Sequence, residues 1–590
     1  MDFTLVKTAS GEYITIKDFL VGLKDEDYIA VDTEGTGLKV YDGTNYAHGL
    51  SITYRHANHG MVSHYFPFRH RFGDNLGPES LWLVQESLQN YQGVIAFHNA
   101  PFDLASLWTL GINLIAKRAL IIDTQILANL VNENWPASKS LESLGMHYLK
   151  RGKKDKPADN QWDIIPAIAL YEYACEDTNL TYDLAMLLMA KLIKLEVWEY
   201  YTTIKYKSIY NVLYMMMTGI IIDTELCARQ EEVGTEQLNE LKQIMGINPG
   251  SRKDLEKLLI NELGLPVVKR SPKTSAPSFD KEAMSQYDVM LEEMDDLSAQ
   301  HISTYRGWQK AVSSCYRAYQ EKLSIDGRLR THYLLFKDAD EGGTTTGRLS
   351  SREPNLQQIP KNSNKPWSGR IKKAFLAATG YTLIEADYSQ LELRLATAVA
   401  GIESLKKVFI EGRDIFDEMA EQLGMPRQDV KTMVYTIQYG GGLDRLIHVF
   451  KVTRAVAKDR REGYFRQYPQ FKEVTAKATA RATTLGNVRI WSGRYRNFIS
   501  PSADGHKAFN SYIQGGAADI MEVQMNRVME EIVLPSNDAV RMLMQVHDSL
   551  VFEVRNDVLE EYRIKIKEVM EDVRPDFGVR FAVDVHNWGE

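Results

Sequence analysis

At roughly 100–200 residues per domain, 590 residues predict three to five domains. With 44% hydrophobic and 25% charged residues the chain is not mainly disordered. Its 70 Lys and Arg against 78 Asp and Glu, net −8, exclude a uniformly basic nucleic-acid coat. They do not exclude a basic cleft on an acidic body, because the field at a site follows local charge. Cys175, Cys227 and Cys315 lie far apart and form neither a disulfide framework nor a zinc knuckle, which fits a reducing compartment.

The N-terminus, Met-Asp-Phe-Thr-Leu-Val-Lys, has no long apolar core and carries an early acid. It is expected to be neither a signal nor a transit peptide, so a cytoplasmic protein is expected. The most apolar run, Val212 to Ile222, is too short to span a bilayer. It predicts a buried helix end, a turn and a strand-like tail. No membrane contact is expected.

Tyr28-Ile-Ala-Val-Asp-Thr-Glu-Gly reads as a strand. Asp32 and Glu34 are two apart, so their carboxylates share a face. Val94-Ile-Ala-Phe is a second apolar strand leading to Asp103. Tyr173 and Asp177 stand at i and i+4 on one helix face. Four converging acids repel unless divalent cations neutralise them. Two metals held this way activate a water and stabilise the leaving oxygen in phosphodiester hydrolysis. Tyr173 would orient the water. His48, His56, His59, His64 and His70 match no common zinc spacing and are expected to be ordinary surface histidines. The basic loop 150–157 reads either as a strand-guiding surface or as a solvated loop.

The three segments, Asp-x-Glu, Asn-x-x-Phe-Asp and Tyr-x-x-x-Asp, resemble 3′–5′ proofreading exonucleases with a ribonuclease-H-like fold.

From about 195 to 330 the pattern is helical, with amphipathic stretches at Trp198–Met217 and Thr224–Ile244. Asn248-Pro-Gly-Ser251 predicts a turn that caps the helix Arg252–Leu263. The loop Val267–Ser278, with Lys269, Arg270 and Lys273, suits phosphate contacts. A mobile linker is the other reading. This stretch resembles the thumb of family A DNA polymerases.

Thr346 to Pro360 is rich in turn formers and donors. Arg348, Asn355 and Gln357 can reach backbone and minor-groove acceptors, contacts largely blind to sequence. Tyr381-Thr-Leu-Ile-Glu-Ala-Asp387 predicts a buried strand with Asp387 at its end. Val540 to Val554 predicts a hairpin with His547 and Asp548 at its tip. Asp387 and Asp548 are 161 residues apart, so only the fold can unite them. United, they would hold two Mg²⁺ about 4 Å apart, activating a primer 3′-hydroxyl and stabilising departing pyrophosphate. Arg427, Lys431, Tyr435 and Tyr439 recur every four residues as one slowly drifting stripe. Two cations followed by two rings suit a triphosphate, then a sugar and base. Gly440–Gly442 stop that helix.

These blocks, with Asn510 to Asp519, closely resemble family A DNA polymerases, the DNA polymerase I class. The resemblance implies an α/β multidomain chain, a ribonuclease-H-like exonuclease beside a right hand of palm, fingers and thumb. The expected domains are an exonuclease at 1–192, a thumb at 193–332, palm at 333–411 and 505–590, and fingers at 412–504. It implies that Asp387, the Tyr388 carbonyl and Asp548 bind Mg²⁺, with Mn²⁺ as a substitute, and that Asp32, Glu34, Asp103 and Asp177 do so in the exonuclease. Arg427, Lys431 and His547 would handle the triphosphate, and Glu392 would gate against a ribose 2′-hydroxyl. Asn510, Gln514 and Gln545 would contact primer or template. The implied substrates are primer-template DNA and dNTPs, with a helicase or single-strand-binding protein as partners. The exonuclease motif begins at Asp32, so no 5′-nuclease domain is expected ahead of it. Tyr435, where the family has Phe or Tyr, resembles bacteriophage replicative members that accept dideoxynucleotides. A phage replicative polymerase is the expected role. A repair or organellar polymerase, or a catalytically silent DNA-binding protein, is the alternative.

Three positions depart from the family pattern. Ser549 stands where Glu is usual, so weaker metal organisation is expected. Phe416 replaces a phosphate-contacting His, and His506 replaces Arg. Residues 459–507 carry ten Lys and Arg against four acids, and these cations are expected to gather where a duplex and triphosphate lie.

Overall fold

Every position of the strand Val94–Phe97 is apolar because both its faces are covered. It runs parallel to Tyr28–Gly35 on one side and to Ile121–Asp123 on the other. Beyond Tyr28–Gly35 the sheet turns antiparallel, through Ala47–His56 to Gly60–Pro67. Five strands, joined by two antiparallel and two parallel pairings, give the ribonuclease-H-like order expected. The computed structural model describes residues 2–37, 40–41, 43–154, 164–271, 274–294, 296–360, 365–438 and 440–589.

The helix Ala167–Lys194 crosses this sheet and buries Leu170, Tyr173, Ala174, Asp177, Leu180 and Thr181 at helical spacing. Two hydroxyls fix its register. Ser51 Oγ donates to the Ala174 carbonyl (2.9 Å), and Thr53 Oγ1 donates to Thr178 Oγ1 (2.8 Å). Tyr173 and Asp177 are thereby held over the end of Tyr28–Gly35.

The histidine cluster is not on the surface. His48, His64 and His70 are buried, and only His56 and His59 are half-exposed. His64 bonds Tyr171 Oη (3.1 Å) and the Phe3 carbonyl (2.9 Å), and burial lowers its pKa to about 4. His70 bonds Tyr65 Oη (2.6 Å) and the Ile165 carbonyl (2.9 Å), and its ring stacks on His48 at 5.1 Å. The strand Ala47–His56 is buried at every position through Tyr54, so both its faces are covered and His48 has no solvent side; His64 is enclosed on the adjoining strand, and His70 is buried just past that strand's end.

The helical stretch from Trp198 to Thr218 stitches two sheets together. Tyr201 Oη donates to the Ile121 carbonyl and accepts from the Asp123 amide, both at 2.9 Å. Asn211 Nδ2 donates to Asn526 Oδ1 (2.6 Å) on the far side. At Gly219 the chain turns with φ +60°, where a Cβ would come within 3.0 Å of the Leu329 carbonyl. Ile220–Ile222 then forms the strand-like tail. Antiparallel helices follow, Thr224–Met245, Lys281–Glu293 and Ser298–Ala311. Their tip has its own small core of Leu255, Leu259, Phe279, Tyr287, Leu291 and Ile302. Ser251 Oγ accepts the Asp254 amide and caps the helix as its sequence predicts. Lys269 is paired with Asp280 (2.9 Å) and Glu282 (2.5 Å), and Arg270 donates to the Ser275 carbonyl. Lys273 lies outside the described residues.

The second sheet is antiparallel, ordered Val540–Val546, Ser549–Arg555, Tyr381–Tyr388, Val583–Asn587. Ile384, Ala386 and Tyr388 join the main core on the face covered by helices. Glu385 and Asp387 point to the opposite face. Helices at Ile415–Leu423, Arg427–Gln438, Leu443–Phe450, Arg454–Gln467 and Pro469–Leu485 stand to one side. Gly515 lets the helix Ala508–Val528 approach the short hairpin of Asn487–Arg489 and Tyr495–Asn497, since a Cβ there would lie 2.4 Å from Ile490 in its turn.

Candidate functional sites on the two sheets

On the first sheet Asp32, Glu34 and Asp177 bring carboxylate oxygens within 4.8 Å of one another. The first two come from alternate positions of one strand, the third from the helix laid across it. Asp103 enters from the first turn of Ala100–Thr109, after Asn99 takes φ +78°. Its Oδ1 accepts from the Thr33 amide (3.0 Å) and Thr33 Oγ1 (2.7 Å). Its Oδ1 is thereby occupied, and Asp103 adjoins the trio. Asp103 Oδ2 and Asp177 Oδ1 are buried without a hydrogen-bond partner among the described residues.

Burial, then the Asp177 charge, raises the Asp32 pKa to about 7. Burial and the Asp32 charge raise that of Asp103, and burial raises that of Asp177. Lys153 meets part of this charge. Its ammonium pairs with Asp177 and lies 4.8 Å from the centre of the Tyr173 ring. Within the basic run 150–157 nothing distinguished Lys153 from its neighbours, and residues 155–157 lie outside the described residues. A hard divalent cation suits this all-oxygen set, with its two unpartnered oxygens.

The sign of the pH dependence follows. A carboxyl with a raised pKa holds its proton in the metal-free fold, and a cation must displace it. Mn²⁺ titrated into the protein at about pH 6 is expected to release protons, and at about pH 9 essentially none. Calorimetry in buffers of different ionisation enthalpy measures this. Equal proton release at both pH values would refute the raised carboxylates.

On the second sheet Asp387 pairs in register with Ser549, beside Asp548. The Tyr388 amide donates to the Asp548 carbonyl (3.1 Å), which locks the two acid-bearing segments together. His547 occupies the two-residue turn at φ +54°, so the hairpin tip presents His547 and Asp548 as expected. Arg348 bridges two of the predicted positions. Its Nη2 pairs with Glu392 and lies 3.4 Å from Asp548 Oδ1.

The predicted DNA-contacting residues divide. Gln357 is buried and donates to Gln545 Oε1 (2.7 Å). Gln545 in turn donates to the His547 carbonyl, so both amides brace the hairpin. Asn355 Oδ1 accepts the Gln357 amide (3.1 Å) and Ser351 Oγ (3.2 Å), the work of a cap. Asn510 and Gln514 stand at i and i+4, half-buried, on the helix Ala508–Val528.

Arg427, Lys431 and Tyr435 converge on Phe416. Its ring is 5.8 Å from the Arg427 guanidinium, 5.9 Å from the Lys431 ammonium and 5.7 Å from the Tyr435 ring. Phe416 is buried, so a ring underlies the stripe. Arg427 is bound to Asp414 (2.5 Å) and Asp417 (3.1 Å). Burial raises the Tyr435 phenol's pKa, with the charges of Glu392 and Asp548 adding to it. Tyr439 lies outside the described residues. Sequence reasoning missed Gln438, which is buried and donates to the Glu392 carbonyl (3.1 Å), tying the stripe helix to the helix Leu391–Ala400 that follows the Asp387 strand. His506 is exposed and bonds the Ala503 carbonyl.

The basic surplus at 459–507 is partly spent within the protein. Arg489 pairs with Glu196, Arg494 with Asp519 and Arg496 with Glu133. Lys472, Lys477 and Arg481 are exposed. Among the described residues no helix is long and apolar enough to cross a membrane.

Residues 222–590 match DNA polymerase family A and residues 11–193 match a 3'-5' exonuclease. The chain belongs to DNA polymerase family A and carries the exonuclease domain as well. The thermostable DNA polymerase I of Thermus aquaticus is 33% identical over 390 residues, 61% of this chain and 44% of that protein. DNA polymerase I of Rhizobium leguminosarum is 27% identical over 644 residues, 98% of this chain and 61% of that protein. The chain spans about half the length of these curated relatives. The POL domain of Pol1 from M. smegmatis, solved in complex with DNA primer-template and dNTP, shares the fold. Its TM-score is 0.84 at 24% identity, over 97% of this chain and 98% of that one.

Proposed function

We propose that the chain is a template-directed DNA polymerase that adds dNTPs to a primer 3′ end and proofreads by 3′–5′ hydrolysis. One observation carries this: two acid clusters, each on its own sheet, in a chain of family A. Mg²⁺ at each cluster would stabilise the charge that develops on attacking and leaving oxygens.

The chain's own residues do the rest. Asp387, the Tyr388 carbonyl and Asp548 would hold the ions at the second sheet, and Asp32, Glu34 and Asp177 at the first, with Asp103 adjoining them. Arg427, Lys431 and His547 would bind the triphosphate, which must displace Asp414 and Asp417 from Arg427. Tyr435 and Tyr439 would lie along the sugar and base, and Glu392, fixed by Arg348, would crowd a 2′-hydroxyl. Arg348, Asn355, Gln357, Asn510, Gln514 and Gln545 would line the primer-template, the glutamines also by bracing the hairpin. In the exonuclease Tyr173 would orient the attacking water. The domain limits remain 1–192, 193–332, 333–411 with 505–590, and 412–504 in this reading, residues 193–218 serving as the stitch. A cytoplasmic enzyme copying a phage genome, with a helicase or single-strand-binding protein, is part of the proposal on the Tyr435 motif. The bacterial relatives favour a second reading, a repair polymerase.

Primed template with Mg²⁺ and dNTPs should be extended, and without dNTPs shortened from its 3′ end. Denaturing gel electrophoresis reads both. A chain that does neither while binding the template would be the silent DNA-binding protein.

A further inference from the structure

The hairpin tip has Ser549 where the family usually carries a carboxylate, and no charge of its own replaces the loss. The neighbouring strand supplies one. Glu385 is buried on the same face as Asp387, two residues away. Its Oε1 accepts from Ser549 Oγ at 2.9 Å. Its Oε2 accepts from Lys372 Nζ at 2.8 Å and lies 3.5 Å from His586 Nε2. Lys372 is itself fixed, its ammonium 4.2 Å from the centre of the Trp588 ring and its carbonyl bonded to Trp588 Nε1 (2.9 Å).

The register makes this a diagonal across one strand pair. Asp387 faces Ser549, and Glu385 faces Val551. Diagonal neighbours on a sheet face are about 7–8 Å apart at Cα, within reach of a long side chain. A glutamate at 549 would extend past the point where Ser549 ends. The Glu385 carboxylate is delivered to that side of Ser549 from the opposite strand. Three groups from three elements hold it, Ser549, Lys372 and His586, so it is not a loose surface acid.

We propose that Glu385 is the positioning carboxylate of the polymerase site, transposed from the hairpin to the strand that carries Asp387. Through Ser549 it fixes the first residue after Asp548. Its charge also offsets the Lys372 ammonium, which would otherwise stand uncompensated on this side of the site. Both of its oxygens are engaged, so it acts from outside the ligand set, as partners of metal-binding carboxylates do. The inference rests on the polymerase reading above.

The test uses the full chain with a primer-template whose primer ends in a phosphorothioate-linked dideoxynucleotide. Electron paramagnetic resonance measures the Mn²⁺ taken up when the matching dNTP is added. E385Q keeps the shape and removes the charge. It is expected to weaken this uptake about tenfold, the lower end for loss of an outer partner, with the thermal melting curve unchanged. S549A cuts the link alone and should weaken uptake in the same direction by less. The double variant E385S/S549E moves the carboxylate back to the hairpin and should recover uptake. Parent-like uptake in both E385Q and S549A overturns the inference. So does a weakened E385Q that E385S/S549E fails to recover. Parent chain that takes up no Mn²⁺ on dNTP addition overturns the polymerase reading together with it.

Discussion

Asp387→Ala is expected to abolish primer extension and leave 3′ degradation at the parent rate, while Asp32→Ala does the reverse. Each substitution should cost its own activity about 10²–10³-fold, the scale on which removing one group from a preorganised charge-stabilising site acts. The separation follows from the fold. Asp32 is on the five-stranded sheet and Asp387 on the four-stranded one, with no strand shared. Direct contacts between the two halves use other residues. Glu133 accepts from Arg496 (2.9 Å) and from the Asn497 side chain (2.8 Å), and Asn134 donates to the Asn497 carbonyl (2.8 Å). Lys139 donates through its amide to Asp338 (2.5 Å). None of these contacts involves a residue of either acid cluster. Extension and degradation assays on each purified variant, with melting curves as a control for folding, measure the effect. Loss of both activities in one folded single variant would show that the sites are not independent.

What was legible in the sequence was local. Asp32 and Glu34 share a strand, so their spacing alone puts them on one face. His547 and Asp548 sit in a turn flanked by two apolar runs, and the turn forms where the runs break. The cap at Ser251 and the helix end before Gly440 are short-range signals as well. The resemblance supplied the pairing of Asp387 with Asp548, which no spacing could. What was not legible depended on partners remote in sequence. Lys153 reaches Asp177 only because the helix Ala167–Lys194 lies across the sheet. Asn355 reads as a polar loop donor, yet its side chain caps the turn in which it stands. The histidines read as polar surface because the local pattern does not reveal that both faces of the strand Ala47–His56 are covered. The basic surplus at 459–507 counts charges but not their pairing, and Arg489, Arg494 and Arg496 are each bound to a carboxylate at least 25 residues away.

Arg494→Met is expected to lower stability by about 3–5 kcal/mol, because it leaves Asp519 buried and uncompensated. Asp519 is 0% exposed. Its carboxylate accepts Arg494 Nε at 2.8 and 3.0 Å, Ser492 Oγ, and Tyr200 Oη at 3.3 Å. Burial pushes its pKa up, and the Arg494 guanidinium opposes that shift. Arg494 Nη2 also donates to the carbonyls of Thr346 (2.7 Å) and Gly515 (3.1 Å). Tyr200 Oη continues the network to Glu522 (3.0 Å), which is paired with buried Lys205. Four remote segments therefore meet at one charge: the stitch helix, the start of the Arg348 loop, the hairpin at Arg494, and the helix bearing Gln514. Trp491, whose Nε1 donates to the Gly516 carbonyl (2.9 Å), is a probe beside the network. Its fluorescence should report melting at a lower temperature in Arg494→Met. The double variant Arg494→Met/Asp519→Leu should recover most of the loss, since removing both charges also removes the uncompensated one. If the double variant is as unstable as the sum of the two single variants, the pair is not coupled and packing alone holds the junction. If it recovers, the pair's role is one of register. It holds the Thr346 backbone against Gly515, and so sets where Arg348 stands relative to Glu392 and Asp548.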